Sequence, residues 1–318
     1  MKIVVTGGAG FLGSHLVDLL AETYPTAQIV VFDKLTYAGD LRNLEDAEKK
    51  AKVDIVVGDI CDQSLCRRTL SRADLLIHTA AESHVDNSFG NSLEFTTTNV
   101  LGTHVLLEAC RFENVPRILH VSTDEVYGEI PVGSAHEGSP IVPTNPYSAS
   151  KAAAEMIVNG YWKSYKAPIT MVRGNNIFGI RQYPEKIIPI FIMKLIAGQK
   201  LPVHGNGKNQ RHYISGPDAA AAILTVINKG DLMTTYNIGS KEEYSNLEIA
   251  AMICEQFGYD PKDWIDFVPD RPYNDIRYGV SLDRIYGLGW APKRNVKADL
   301  PAIVAWYKKN GYRYSGFG

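Results

Sequence analysis

Short runs of branched apolar residues alternate along this chain with longer stretches whose apolar positions recur every three or four residues. The short runs read as buried strands and the longer stretches as amphipathic helices. Strands are predicted over residues 2–6, 28–32, 54–57, 75–78, 118–121, 169–173 and 235–238. Helices are predicted over 14–23, 94–112, from Tyr147 to about 165, and over 217–229, 247–257 and 298–309. Strand–helix alternation this regular predicts an α/β fold built on a doubly wound parallel sheet. After Arg173 the elements shorten, and amide and basic residues recur. That change predicts a smaller mixed α/β domain made of residues 174–211 and 241–318, beside a main domain of 1–173 and 212–240.

The first strand runs straight into Gly7-Gly8-Ala9-Gly10-Phe11-Leu12-Gly13, and a helix follows. Gly7, Gly10 and Gly13 suit a tight turn, close approach to a pyrophosphate, and close helix–strand packing. Asp33 ends the second strand, about 20 residues beyond Gly13, where an acid binds a ribose 2′-hydroxyl. It would repel a 2′-phosphate, so NAD is favoured over NADP. This makes the predicted main domain Rossmann-like. Asp59 and Ile60 end the third strand and suit an adenine ring. Ala80 and Ala81, small residues at the end of the fourth, leave room for a cofactor. Asn99 and Thr103 share a helix face.

The stretch Val121 to Lys151 carries the candidate chemistry. Thr123, Asp124 and Glu125 follow a buried strand, and Tyr147 and Lys151 stand four residues apart, on one face of a helix. An ammonium beside a phenol favours phenolate and makes a base. Thr123 supplies a hydroxyl to align a substrate oxygen, and the two acids supply a proton donor and acceptor. Taken alone, a Tyr and a Lys at this spacing are more often a surface pair, and two adjacent acids a solvated turn. The upstream dinucleotide pattern is what lifts them above that reading.

Composition changes little. The 318 residues are 45% hydrophobic and 21% charged, with net charge −2, so nucleic acid is not suggested. No apolar run approaches the about 20 residues that span a bilayer. Met1 leads directly into a strand without a signal peptide, which predicts a cytoplasmic protein. Cys61, Cys66, Cys110 and Cys254 have no metal-like spacing, so free thiols and no metal are expected.

On these residues the chain resembles an extended short-chain dehydrogenase/reductase, and within that superfamily the nucleotide-sugar 4,6-dehydratases acting on dTDP-glucose or UDP-glucose. Thr123-Asp124-Glu125 with Tyr147 and Lys151 is the most specific match. TGGAGFLGSH, DKLTYAG, AAESHVD, PTNPYSASKA, QYPEKIIP and DRPYNDIRY match as well. The resemblance implies NAD as a resident cofactor held by Gly7, Gly10, Phe11, Leu12, Asp33, Lys34, Thr36, Asp59, Ile60, Ala80, Ala81 and Asn99, with Tyr147 and Lys151. It implies that Ser83, Thr123, Asn176, Lys186, Ile187, Arg211, Arg271 and Asn274 hold the nucleoside-diphosphate sugar, with His204 near the base. Tyr147 would take the 4-hydroxyl proton, Glu125 the C5 proton, and a protonated Asp124 would release the 6-hydroxyl. Asp124 is therefore expected to be the more buried acid, or the nearer to other negative charge.

Four positions depart from the family pattern: His204, Asn274, Gly174, and the run from His212 to Gly216. They leave the base open, thymine or uracil. Related epimerases, decarboxylases or a 5,6-dehydratase are the alternative, against which the intact acid pair speaks. A non-enzymatic NAD-binding regulator would be expected to lose Tyr147 or Lys151. A homodimer is implied, pairing through the helices that carry Tyr147 and Phe112. Val105, Leu106, Met156 and Ile157 fit such a face, and would equally fit a core.

Overall fold

The computed structural model describes residues 1–270 and 273–314. The seven predicted strands form as β1 (Lys2–Thr6), β2 (Gln28–Asp33), β3 (Lys52–Val57), β4 (Leu75–His78), β5 (Ile118–Thr123), β6 (Ile169–Gly174) and β10 (Thr235–Ile238). Five short strands lie beyond them: β7 (Asn176–Phe178), β8 (Leu201–His204), β9 (Gln210–Ser215), β11 (Glu243–Ser245) and β12 (Ile265–Val268). The large sheet has the order β10–β6–β5–β4–β1–β2–β3, and every neighbouring pair is parallel. The chain leaves this sheet after β6 and returns to its edge with β10. Two small sheets, β11–β9–β7 and β12–β8, build the second lobe.

A parallel sheet is buried on both faces, so its central strands are apolar at consecutive positions. Helices α1 (Phe11–Thr23), α2 (Gln63–Leu70), α3 (Thr103–Glu113), α4 (Pro146–Tyr165) and α6 (Gly216–Lys229) do the covering, while α5 (Ile187–Ile196), α7 (Asn246–Phe257) and α8 (Val296–Asn310) belong to the small lobe. Ile3, Val5 and Ile29 pack with Leu16, Leu20 and Ile223 from α1 and α6. Val4, Val30 and Phe32 point the other way, onto Leu70, Leu106 and Val158 from α2, α3 and α4. The small lobe has its own core, where Ile192, Ile253 and Val304 join α5, α7 and α8. Leu106 is thus a core residue, while Met156 is 50% exposed.

The helix expected over 94–112 is not one regular helix. Ser92–Phe95 is α-helical, Thr96–Gly102 widens to a π-helix, and α3 follows. Wide turns of this kind arise where a side chain is needed elsewhere. Here Asn99 accepts from the backbone N–H of Glu82 (2.9 Å) and donates to the Glu82 carbonyl (3.0 Å) and Ser150 Oγ (2.9 Å). No helix among the described residues is long and apolar enough to cross a membrane.

Candidate active site

The strand order reverses between β1 and β4, so the connections after them leave in opposite directions and a crevice opens at the strand ends. A cleft of about 490 Å³ lies there, between the large sheet and the small lobe. Its floor begins at the Gly-rich turn. Gly7 has φ +66°, and a Cβ on it would come within 2.8 Å of the Ala80 backbone. A Cβ on Gly13 would lie 2.1 Å from the Gly7 carbonyl oxygen. Both positions therefore need glycine, one for conformation and contact, the other for contact alone.

Asp33 is 9% exposed. Its carboxylate accepts from the N–H groups of Ala9 (3.0 Å) and Leu35 (2.8 Å), tying the turn to β2. Each oxygen keeps a lone pair for a ribose hydroxyl. Lys34 pairs with Asp59 (2.8 Å) at the mouth. Phe11, Leu12, Thr36, Ile60, Ala80 and Ala81 line the same channel. Small residues, a bare backbone turn and an acid at the second strand end fit a dinucleotide. Asn99 does not line the cleft. It is 2% exposed and holds the Glu82 loop against α4 from behind.

The candidate catalytic groups meet at the end of β5. Thr123 caps a 3-10 turn, Asp124–Tyr127, by accepting from the Glu125 N–H (3.3 Å). Asn145 and Ser148 form a capping box, with Pro146 in the first turn of α4. This start places Tyr147 in the first turn and Lys151 one turn on. Asp124 is 2% exposed and Glu125 less buried. Burial, with the Glu125 charge beside it, pushes the Asp124 carboxyl up to about 7. Burial also raises Glu125, but the Lys186 and Arg211 cations oppose the rise. The two acids thus have different surroundings, as two opposite roles require.

Tyr147 differs from the expected phenolate. Burial raises its pKa, and the neighbouring Glu125 carboxylate adds to the rise. Lys151 donates instead to the Val121 carbonyl (2.7 Å), and burial lowers its pKa to about 8. Desolvation and negative charge win here over the cation four residues away.

Across the cleft, Lys186 donates to the Ser83 carbonyl (2.6 Å), and Arg211 donates to Asn274 Oδ1 (3.2 Å). Asn176, Ile187 and His204 complete this wall. The Asn176 side-chain nitrogen is buried and has no hydrogen-bond partner, as has Ser122 Oγ. His204 Nδ1 lies 3.2 Å from the Pro269 carbonyl oxygen. Arg271 lies outside the described residues. Four cleft residues escaped the sequence reading. Asn145 donates to Glu125 (3.4 Å) and Asn175 to Asp124 Oδ2 (2.8 Å). Tyr278 bonds Asp275 and stacks under Arg211, 4.6 Å from its ring centre. Asn145 carried a signal, an amide just before Pro in a helix start; Asn175, Tyr278 and Asp275 each also touch a residue distant in sequence, respectively Asp124, Arg211 and Thr144.

The parallel sheet with its Gly-rich turn, and the Tyr147–Lys151 pair at the end of β5, define an extended short-chain dehydrogenase/reductase. The family model described as GDP-mannose 4,6 dehydratase matches residues 4–300. A trifunctional UDP-glucose 4,6-dehydratase of Arabidopsis thaliana is 46% identical over 315 residues, covering 97% of this chain and 47% of that protein. The chain spans about half the length of such plant relatives. A dTDP-glucose 4,6-dehydratase of Actinoplanes is 41% identical, with 98% of each chain covered. The crystal structure of the Streptomyces venezuelae dTDP-glucose 4,6-dehydratase, solved with NAD bound, has a TM-score of 0.96 at 38% identity over 100% of both chains. The chain belongs to the nucleotide-sugar 4,6-dehydratase family.

Proposed function

We propose that this chain dehydrates a nucleoside-diphosphate glucose, with thymine or uracil as its base, to the 4-keto-6-deoxyglucose product. One observation carries the reading: adjacent carboxyls, one buried and shifted to about 7, the other facing cations, open on a cleft with Tyr147 and Lys151. An enzyme that only oxidises and reduces at C4 has no work for two acids there.

Tyr147 takes the proton of the sugar 4-hydroxyl while Thr123 holds that oxygen. When bound, NAD supplies a positively charged ring that favours the phenolate, and a hydride acceptor that gives back the hydride it takes. The 4-ketone acidifies the C5 proton, and Glu125 removes it. The C5–C6 double bond forms as the C6–O bond breaks. Asp124 gives its proton to the departing hydroxyl, which leaves as water. Glu125 then returns its proton to C5. Lys186, Arg211 and Asn274 hold the diphosphate through charge-assisted bonds.

The test is turnover of dTDP-glucose and UDP-glucose without added NAD, read by mass. Loss of one water from either sugar nucleotide supports the reading, and the ratio of rates names the base. An unchanged mass with glucose converted to galactose would make the protein an epimerase.

We further infer a cytoplasmic homodimer. All four cysteines are free thiols, in keeping with a reducing compartment. Leu101, Phe112, Met156 and Tyr165 are each about half exposed, on the π-helical stretch and on α3 and α4. A large apolar surface on neighbouring helices supports pairing there. Met156→Glu is expected to shift sedimentation from dimer to monomer, with the far-ultraviolet circular dichroism unchanged. A wild-type protein that sediments as a monomer would end this inference.

A further inference from the structure

Asn175 belongs to no role assigned so far, yet it is the side chain most directly fastened to Asp124. It follows β6, is 3% exposed, and is pinned by its own N–H donating to the Ile238 carbonyl (3.0 Å). Its Nδ2 donates to Asp124 Oδ2 at 2.8 Å. Its Oδ1 is buried without a hydrogen-bond partner. That oxygen rests against Gly239, just beyond β10, where an added Cβ would lie 1.7 Å from it. Gly239 has no positive φ to require glycine. What requires it is the Asn175 amide. Gly239 therefore acts as the seat of that amide, and it lies outside the cleft lining.

Such an arrangement sorts the two oxygens of Asp124. In a neutral carboxyl the carbonyl oxygen is the better acceptor, and the hydroxyl oxygen carries the proton. An N–H aimed at Oδ2 marks it as the acceptor. Oδ1 lies 3.3 Å from the Thr123 hydroxyl, which donates to it when Asp124 is ionised and can rotate to accept from it when Asp124 is protonated, so the proton is left to Oδ1. We propose that Asn175, held in place by Gly239, is a positioning residue that keeps the transferable proton of Asp124 on Oδ1, beside Thr123, and stabilises the carboxylate left after transfer. This rests on the acid role given to Asp124 above. No covalent step is added: the proton goes from Oδ1 to the leaving hydroxyl, and the negative charge stays on a carboxylate that still accepts from Asn175.

The charged and titratable groups facing Asp124 are Glu125 on its own turn, Tyr147 from α4 and Arg211 from β9. The phenol of Tyr147 is held neutral and adds no charge, while the Glu125 charge disfavours ionisation of Asp124 and Arg211 favours it. Asn175 also favours it, from the fourth side. Losing a hydrogen bond to a charged group of this kind corresponds to a pKa rise of about one to two units.

The experiment measures dehydration of the sugar nucleotide against pH for the wild type, Asn175→Ala and Gly239→Ala. For both variants the alkaline limb is expected to move up by about one to two pH units. The plateau is expected to fall about tenfold or more, since a misplaced proton loses part of a general acid's contribution. KM is expected to hold, because neither residue is given to the substrate. Gly239→Ala keeps every reacting group, so it reads the amide's placement alone and serves if Asn175→Ala does not fold. Asp124→Asn separates the two layers. If it retains full dehydration of a 6-hydroxyl sugar, the acid reading itself fails. If it is inactive while the limb stays where it was in the folded variants, only the role of Asn175 is overturned. A uniform loss at every pH in both variants, with the limb unmoved, is a merely structural effect and overturns it too.

Discussion

Tyr147→Phe is expected to halt the reaction before any hydride moves, with kcat falling by about 10³-fold or more. The substitution deletes one oxygen. The ring keeps its edge-on contact with Phe95, 6.3 Å between centres, so the fold should be unaffected. The measurement is the NADH absorbance band after mixing enzyme with sugar nucleotide in one turnover. No band and no C5 exchange in deuterated water are the expected result. A band that forms at the wild-type rate would remove Tyr147 from the proton transfer. The wild type should also be slow at low pH, because burial holds the phenol proton tightly. Activity should therefore rise with pH on this account.

Asp124→Asn and Glu125→Gln are expected to stop the same reaction at different places, each by about 10²–10⁴-fold. Without Asp124 the C5 proton still exchanges with solvent, but water does not leave. A sugar bearing fluorine at C6, which departs without being protonated, should restore elimination. Without Glu125 exchange itself vanishes, and no leaving group helps. Deuterium incorporation at C5, read by mass, tells the two apart; identical behaviour of the two variants would refute the division of labour. The sign of the pH effect follows from the raised carboxyl. Asp124 is protonated below about 7, so elimination falls as pH rises through that value. The raised carboxyl also costs the fold stability: the loss builds as pH rises from the ordinary carboxylate range to about 7 and is complete above it. Asp124→Asn should therefore resist denaturant better than the wild type at pH 8, though it is inactive.

The strands and the Gly-rich turn were legible because each is a local pattern. Branched runs such as Ile-Val-Val, and a glycine triplet between a strand and a helix, need no knowledge of distant residues. The placement of Tyr147 and Lys151 was legible for the same reason, since α4 puts both on one face. Their titration was not. Four residues of spacing suggest that Lys151 serves Tyr147, but the ammonium reaches back to Val121, 30 positions away, and burial raises the phenol. Asn175 was missed because its partner Asp124 is 51 residues distant. Asn99 was misplaced because a π-helical turn, which leaves no mark in the apolar spacing, swings its amide behind the cofactor channel.

The late return of the chain to its own sheet bears on synthesis. β6 gains its outer neighbour only when Thr235–Ile238 has been made, after much of the small lobe. Until then the residues from Ile169 to Gly174 form an unpaired edge, the kind of surface on which chains aggregate. A fragment ending at Gly174 would carry the glycine turn and the Tyr–Lys pair, yet it should emerge insoluble. Adding residues through Ile238 closes that edge. The large sheet thus depends on chain made after the first part of the small lobe, so it should not be expressible as a contiguous N-terminal cassette.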